Sequence, residues 1–246
     1  MKANLVPSGI EGFDQVLGGG FQRRRCIALS GAPGTGKTTL SMQFLYNGFV
    51  KHGEPGIYVT LTENPEEVRE NFASFGWDLR DAERKNGLKI IDARPVLATK
   101  DGLIARNEDL FEGEEFAFSH LAKLVISAIR KNKAKRVVID SITVLVMQYE
   151  DKFYIRQGLL GLIQVLSSQE CTSLLLMETI GEQNTIPTEW ALVHGVVSIY
   201  HESKGDNIAR SIQILKMRGI KHGERVYSME IGDSGVVIHP EVTISI

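Results

Sequence analysis

The sequence predicts an α/β fold: a largely parallel sheet flanked by helices, with antiparallel strands added at its C-terminal end. Short apolar runs alternate with segments of helical periodicity, which is typical of a parallel sheet with helices on its faces. The apolar run 26–30 leads into a glycine-rich segment and then into apolar residues at helical spacing. From about Gly195 the pattern changes to shorter alternating runs, which indicates an antiparallel extension.

Length and composition favour one domain without a membrane segment. The chain has 246 residues, of which 43% are hydrophobic and 24% are charged, within the range of a single open α/β sheet. We therefore expect one domain over residues 1–246. No run of 18 or more apolar residues and no export signal is present, which predicts a cytoplasmic protein. Cys26 and Cys171 lie in or beside apolar runs, so buried free thiols are favoured over a disulfide or a metal site.

The first half of the chain contains a second strand followed by a capped helix. Residues 57–61 form the strand, and Asn64 reads as the N-cap of the helix, with Pro65 in its first turn and Glu67 completing a capping box. Glu63 therefore lies where a strand turns into a helix. A third strand covers residues 88–91. The stretch 100–115 carries six acidic and two basic residues with weak periodicity, which predicts a long surface insertion.

The second half repeats the alternation of strand and helix. Apolar spacing predicts a helix over residues 121–129, with basic residues at its end, and another over 155–166. A buried strand covers 137–140 and ends in Asp140, and a second covers 172–177 before Glu178. Turn-rich breaks at 203–207 and 232–235 separate the last strands.

A phosphate-binding loop follows the first strand. Residues 31–38 read GAPGTGKT and match the spacing G-x-x-x-x-G-K-[ST] at every fixed position. The glycines let successive backbone N–H groups surround phosphate oxygens, and a helix beginning near Lys37 adds its positive end. Lys37 is expected to reach the β- and γ-phosphates of ATP, and the Thr38 hydroxyl to ligate Mg²⁺. The expected ATP-binding residues are Gly31, Ala32, Pro33, Gly34, Thr35, Gly36, Lys37, Thr38 and Thr39.

ATP hydrolysis also needs a carboxylate near the metal and a group that orients the attacking water. Asp140 and Glu63 are the candidates, because both are predicted at the carboxyl edge of the sheet, where the loop lies. Asp140 would hold Mg²⁺ with Thr38; the alternative is an ordinary strand-terminal N-cap. Glu63 would polarise the water, or would be merely an acid at a helix start. Glu178 could sense the γ-phosphate, although an ordinary surface role is favoured.

A basic pair, Lys216 and Arg218, lies in the alternating run 212–218. The period of two in a strand puts both side chains on one face, so they can act together. One reading is that they contact the γ-phosphate of ATP bound by a neighbouring copy. The alternative is a solvated strand whose cations discourage edge-to-edge pairing.

These motifs together resemble the RecA superfamily, and within it the KaiC-like ATPases. The resemblance covers nearly the whole chain in the expected order: SGIEGFD at 8–14, GGG at 18–20, the phosphate-binding loop, VVIDS at 137–141 and LKMRG at 215–219. It implies a RecA-type core, a ring-shaped homo-oligomer that is usually hexameric, and ATP bound between neighbouring subunits. It also supports Glu63 as the water-activating residue and favours the catalytic role in trans for Lys216 and Arg218.

Two departures from the family pattern limit what the resemblance implies. KaiC-like proteins often have a tandem carboxylate pair where this chain has Thr62-Glu63, so family rates do not transfer. KaiC has two such domains and phosphorylates itself on adjacent hydroxyl residues, whereas the comparable stretch here reads Thr188-Glu189-Trp190. An autokinase is therefore less favoured.

Three classes of function remain at this point. The favoured one is a regulatory or signalling ATPase ring that forms ADP and phosphate. A DNA-acting recombinase-like ATPase would need basic loops, yet residues 148–157 are charge-balanced, residues 181–190 contain no Lys or Arg, and the formal net charge is −2. Nucleic acid is therefore not an expected partner. A non-catalytic nucleotide-gated scaffold is the third class, which the presence of Asp140 and Glu63 disfavours.

Overall fold

The structure, a computed structural model, describes residues 5–98, 104–106, 111–112, 115–116, 118–179, 188–204 and 207–244. Its strands are β1 (Leu5–Val6), β2 (Phe21–Gln22), β3 (Cys26–Gly31), β4 (Gly56–Thr60), β5 (Leu88–Asp92), β6 (Val96–Ala98), β7 (Ile104–Arg106), β8 (Phe111–Glu112), β9 (Glu115–Phe116), β10 (Arg136–Asp140), β11 (Thr172–Glu178), β12 (Gly195–Lys204), β13 (Asn207–Met217), β14 (Val226–Gly232) and β15 (Gly235–Thr243). Its helices are α1 (Phe13–Val16), α2 (Lys37–His52), α3 (Pro65–Ala73), α4 (Leu79–Arg84), α5 (Phe118–Asn132), α6 (Thr143–Val146) and α7 (Lys152–Ser168), with a 3₁₀ turn at Thr188–Ala191.

A nine-stranded sheet forms the centre of the molecule in the order β15-β14-β13-β12-β3-β11-β10-β4-β5. The strands from β12 to β5 are mutually parallel, and β13, β14 and β15 extend the sheet in antiparallel fashion. The predicted fold class is therefore confirmed. Because β3, β11, β10 and β4 are parallel neighbours, their carboxyl ends meet at one edge of the sheet.

Alternate residues of the central strands feed two apolar cores, one on each face of the sheet. Leu29 and Val138 pack in the core that contains the buried side of α2, whereas Ala28 and Val137 pack in the core that contains α5 and α7. This division follows from the period of two along a strand, and near-continuous apolar runs are what a strand buried on both faces requires. Helices on both faces thus hold the carboxyl edge rigidly in place.

The N-terminal end of α3 has the predicted capping box. The Asn64 side chain accepts a hydrogen bond from the Glu66 backbone N–H at 2.9 Å, and the Glu67 carboxylate accepts one from the Asn64 N–H at 3.2 Å. Pro65 is the first helical residue. Glu63 consequently lies in a short, defined turn between the end of β4 and the start of α3.

One expectation about strands needs correction. The runs after Gly195 were expected to be short, but β12 and β13 have 10 and 11 residues, because they pair with each other along almost their whole length. The predicted long surface insertion at 100–115 lies mostly outside the described residues. In and beside this stretch, the described residues form two short antiparallel pairs, β6 with β7 and β8 with β9. The turn at 232–235 is confirmed, since Gly232 pairs with Gly235.

The predictions for cysteine and membrane segments can also be compared with the structure. Cys26 and Cys171 are both buried and free, as predicted, and burial raises the pKa of each thiol to about 12. Among the described helices, none has the length and apolar character needed to cross a membrane.

Candidate functional site

The glycine-rich loop connects the end of β3 to the start of α2. Gly34 and Gly36 have φ angles of 77° and 105°, in the left-handed region that favours glycine. No atom lies within 4 Å of the position that a Cβ of Gly34 would occupy, so the loop is open at that point. Gly36 is the N-cap of α2, whose first residue is Lys37. Unpaired backbone N–H groups at this helix start form a suitable cradle for an anion.

The ammonium of Lys37 is held inside the loop. Its Nζ donates hydrogen bonds of 2.9 Å to the carbonyl oxygens of Gly31 and Ala32, and the residue is only 7% exposed. Burial lowers the pKa of Lys37, and the carboxylates of Glu178 and Asp140 act in the opposite direction. A cation is therefore poised in the loop, where a phosphate group can exchange for the two carbonyls.

Thr38 and Asp140 meet directly although 102 residues separate them. Thr38 Oγ1 donates a hydrogen bond of 2.8 Å to Asp140 Oδ2, because α2 follows β3 and β10 lies two strands away in the sheet. Asp140 is buried, and burial raises the pKa of its carboxyl group, opposed by the hydrogen bonds from Tyr58 and Thr38 and by the charge of Lys37. The predicted pair of candidate metal ligands is thus assembled.

Tyr58 was missed from the sequence, yet it contacts the same carboxylate. Its hydroxyl donates a hydrogen bond of 2.7 Å to Asp140 Oδ2. A tyrosine within the otherwise apolar or β-branched run of β4 is a signal that was available, because a buried Tyr hydroxyl usually has a polar partner. Tyr58 lies on β4, which is adjacent to β10.

The donor set of Thr38 and Asp140 fits a magnesium–nucleotide complex. A hydroxyl and a carboxylate are hard oxygen ligands, and Mg²⁺ is usually held by one or two protein carboxylates together with phosphates and water. Within the described ranges, no group of three or more His, Cys, Asp or Glu side chains could hold a metal without such help. The site therefore suits a metal ion that is bound jointly by these residues and by the phosphates of a nucleotide.

Glu63 lies beside this pair, in the turn after β4. The Thr60 hydroxyl donates to the Glu63 carbonyl at 2.8 Å and accepts from the Glu63 N–H at 2.9 Å, which fixes the turn. Asn71 Nδ2 is 3.4 Å from the Glu63 carboxylate. Burial, and next the Asp140 carboxylate, raise the pKa of Glu63. A carboxylate with a raised pKa near Asp140 is suited to accept a proton from water.

Three further loop residues and Glu178 complete the set of residues predicted at this site. Thr35 is fully buried, and its hydroxyl donates to the Ala32 carbonyl at 2.9 Å, which closes the loop on itself. Pro33 is exposed and Thr39 is half-buried. Glu178 ends β11 opposite Gly31, and its side chain is exposed. It is near enough to Lys37 to affect that residue's pKa.

The structure does not bring Lys216 and Arg218 to this loop. Arg218 N–H donates to the His194 carbonyl, and His194 N–H donates to the Cys26 carbonyl, both at 2.9 Å, so Arg218 is level with the beginning of β3. Gly31 is five residues further along that strand, about 16 Å away at the usual rise per residue. The two cations therefore lie at the opposite edge of the sheet from their own phosphate-binding loop.

The two cations do share a face, as predicted. Lys216 Nζ and an Arg218 guanidinium nitrogen both donate to the Ala191 carbonyl, at 3.0 and 3.2 Å. Arg218, however, follows the last residue of β13, so strand periodicity alone does not account for its direction. The turn after the strand also contributes.

Comparison with known proteins agrees with this geometry. The family model described as "ATPase: KaiC" matches residues 6–243. The chain belongs to the KaiC family of ATPases. It is 36% identical over 241 residues to the circadian clock oscillator protein KaiC of Prochlorococcus marinus, an alignment that covers 97% of this chain and 45% of that protein. It is 38% identical over 241 residues to a UPF0273 protein of Pyrococcus horikoshii, covering 96% and 94% of the two chains.

A solved structure places the fold in the same group. The crystal structure of a KaiC-like protein from Pyrococcus horikoshii superposes with a TM-score of 0.81 at 33% identity, and the match covers 96% of this chain and 99% of that one. The predicted KaiC-like resemblance is therefore confirmed. This chain spans about half the length of the KaiC proteins that it matches, and almost the full length of the UPF0273 proteins.

Proposed function

We propose that this chain is a magnesium-dependent ATPase that forms ADP and phosphate within a ring-shaped homo-oligomer of six copies. The observation that supports it most is the 2.8 Å hydrogen bond between Thr38 and Asp140, beside an ammonium held within a phosphate-binding loop. Membership of an ATPase family supports nucleotide binding independently. Residues 1–246 would act as one ATPase unit.

Each residue has a proposed role in the reaction. The backbone of residues 31–39 and Lys37 would hold the β- and γ-phosphates, while Thr38 and Asp140 would hold Mg²⁺, which would supply positive charge to neutralise the phosphates. Glu63 orients a water molecule toward the γ-phosphorus and takes its proton. The water oxygen forms the new P–O bond as the bond to ADP breaks, so the products are ADP and inorganic phosphate.

The remaining catalytic cations would come from a neighbouring copy. Along β3, Arg218 is about 16 Å from Gly31 of its own loop and Lys216, which is level with Ala28, is about 10 Å from it. The two cations contact the same carbonyl and can act together. In a head-to-tail ring, this edge of one copy can approach the carboxyl edge of the next. Such a cation contributes about 10³–10⁵-fold to GTP hydrolysis where it has been measured.

Mixing inactive variants tests the shared site. Lys216→Ala/Arg218→Ala and Glu63→Gln should each be nearly inactive but still bind ATP. When they are mixed under conditions that allow subunit exchange, hydrolysis should recover, because an intact Glu63 meets intact cations from its neighbour. Particle mass, measured with and without ATP and Mg²⁺, reports the ring separately. Proven exchange without recovery would contradict the shared site.

A regulatory role is supported by the relatives rather than by the site. The KaiC relatives are named circadian clock oscillator proteins, and we infer that hydrolysis in the ring likewise serves a regulatory purpose. The DNA-acting alternative is disfavoured by a net charge of −2; one of its two candidate DNA-facing loops, at 181–190, lies mostly outside the described residues. The cytoplasmic location stays a prediction, and an autokinase stays the less favoured reading.

A further inference from the structure

Lys216 and Arg218 are held by backbone carbonyls rather than by acids. Lys216 Nζ donates to the carbonyls of Ala191 and Val193, at 3.0 and 2.8 Å, and Arg218 donates to Ala191 at 3.2 Å. Within the described part of the chain, neither cation forms an ion pair with a carboxylate. Their positive charges are therefore oriented by the segment 191–193 but not neutralised, which leaves them able to attract an anion from outside the chain.

His194 fastens this segment to two strands at once. Its backbone N–H donates to the Cys26 carbonyl, and its carbonyl accepts from the Arg218 N–H, both at 2.9 Å. The Cys26 N–H in turn donates to His194 Nδ1 at 3.2 Å. The imidazole thus accepts a backbone hydrogen bond, and a substituted side chain can keep that bond only if it has an acceptor at the position of Nδ1. Cys26 begins β3, so the anchor is the rigid central strand of the sheet.

We propose that His194 is a positioning residue for the pair Lys216 and Arg218. It fixes the Ala191 and Val193 carbonyls, and through them aims both cations at the phosphate of a nucleotide bound by a neighbouring copy. This inference rests on the proposed shared site and adds to it a residue that touches neither nucleotide nor metal. The physical reason is preorganisation: long side chains that are already oriented lose less freedom when the phosphate arrives.

The geometry also offers a second role for His194, in the phosphate-binding loop of its own chain. Because Cys26 begins the strand that ends in Gly31, loss of the imidazole could disturb the phosphate-binding loop of its own chain instead. In the first role, a His194 variant is defective in the cations that it lends to its neighbour. In the second role, it is defective in its own phosphate-binding loop, on the side of Glu63. Mixing of variants separates them, since a variant recovers only with a partner whose defect lies on the other side.

The test compares His194→Asn with His194→Gln. The Asn Oδ1 can stand in for Nδ1 and accept from Cys26, whereas the longer Gln side chain places its oxygen near the position of Nε2. We expect the Asn variant to keep most of its ATP hydrolysis and the Gln variant to lose about 10-fold, with unchanged ATP affinity. His194→Ala should resemble Gln, and His52→Asn, at the exposed end of α2, is the control. If the Asn and Gln variants both hydrolyse ATP at the wild-type rate, the proposal is overturned.

Mixing then assigns the side on which His194 acts. His194→Gln should recover hydrolysis with Glu63→Gln, and should not recover with Lys216→Ala/Arg218→Ala, because those two defects lie on the same side. The reverse pattern would overturn the positioning role while leaving the shared site intact. If Glu63→Gln and Lys216→Ala/Arg218→Ala fail to complement each other despite exchange, the shared site itself is wrong, and the role of His194 falls with it.

Discussion

The hydroxyl of Tyr58 donates a 2.7 Å hydrogen bond to Oδ2 of Asp140, the same oxygen that accepts from Thr38 at 2.8 Å. Burial, and next the charge of Asp140, raise the pKa of Tyr58 well above its ordinary value, so the phenol keeps its proton and remains a donor. Two donors from different elements therefore fix the orientation of one carboxylate. If the Thr38 hydroxyl were to ligate a metal ion, Tyr58 would still donate to this carboxylate.

Tyr58→Phe should weaken the binding of Mg²⁺, because the Asp140 carboxylate loses one of its two hydrogen-bond donors while the aromatic ring stays in the core. Loss of a partner that orients a metal-holding carboxylate typically costs about 10–100-fold in metal affinity. We expect the Mg²⁺ concentration for half-maximal hydrolysis to rise by about 10-fold, with ATP binding in the absence of Mg²⁺ unchanged. Tyr227→Phe, at another buried tyrosine, is the matched control. An unchanged Mg²⁺ requirement would show that Tyr58 serves packing alone.

Lys37→Ala should abolish ATP binding at micromolar nucleotide. The backbone cradle supplies only partial charges, so removal of the buried ammonium leaves the β- and γ-phosphate charge uncompensated. Equilibrium titration with ATP measures the effect. Lys51→Ala, near the exposed end of the same helix, should bind ATP like the parent. Equal affinity of the Lys37 variant and the parent would mean that the loop is not the nucleotide site.

Glu63→Gln should separate binding from chemistry. The amide keeps the shape of the side chain but removes the base, so ATP affinity should persist while hydrolysis falls by about 10²-fold or more. Glu67→Gln, in the first turn of the following helix α3, is the matched control, because a glutamine can still complete the capping box. If Glu63→Gln hydrolyses ATP at the parent rate, Glu178 becomes the next carboxylate to replace.

DNA should associate only weakly with this protein. The formal net charge is −2, and tight sequence-independent binding depends on the release of counterions by many Lys and Arg contacts. Binding of single- and double-stranded DNA, measured at several salt concentrations near the physiological value, should give low affinity and a shallow salt slope. Nanomolar affinity with a steep slope would favour the recombinase-like alternative over the regulatory ATPase.

The sequence was sufficient for those parts of the site that depend on local pattern. The loop at 31–38, the helix start at Lys37 and the cap at Asn64 each follow from residues close in the chain. The meeting of Thr38 and Asp140 was also predictable, because parallel strands that end in polar residues share one edge. Local pattern combined with one rule of topology thus predicted the centre of the site.

The contacts that were missed depend on which strands are neighbours. Tyr58 reaches Asp140 because β4 pairs with β10, and nothing in the local sequence fixes that order. The hydrogen bonds from Lys216 to the carbonyls of Ala191 and Val193 likewise depend on the pairing of β12 with β13. The lengths of β12 and β13 were underestimated for a similar reason: pairing along both edges of β12 extends a strand beyond its apolar residues.

The pH dependence of stability should include a contribution from His194. Burial lowers the pKa of His194 below its ordinary value of 6.5, and the charges of Arg25, Arg218 and Lys216 lower it further. These are the charged groups that face the imidazole, and both arginines keep their charge at every pH of interest. The neighbouring Cys26 thiol stays protonated, because its pKa is raised to about 12. The folded chain therefore favours neutral His194.

The sign of the effect follows from proton binding. Below pH 6.5, and down to the lowered pKa in the folded chain, the unfolded chain holds more protons at His194 than the folded chain does. This contribution to the free energy of unfolding is fully present well above pH 6.5, decreases as the pH falls below 6.5, and is fully lost below the lowered pKa of the folded chain. Denaturant unfolding of wild type and His194→Asn, at about pH 7.5 and about pH 5.5, measures it. Because asparagine does not titrate, the variant should lose less stability on acidification than wild type. An identical loss in both proteins would mean that other groups, and not His194, set the acid limb.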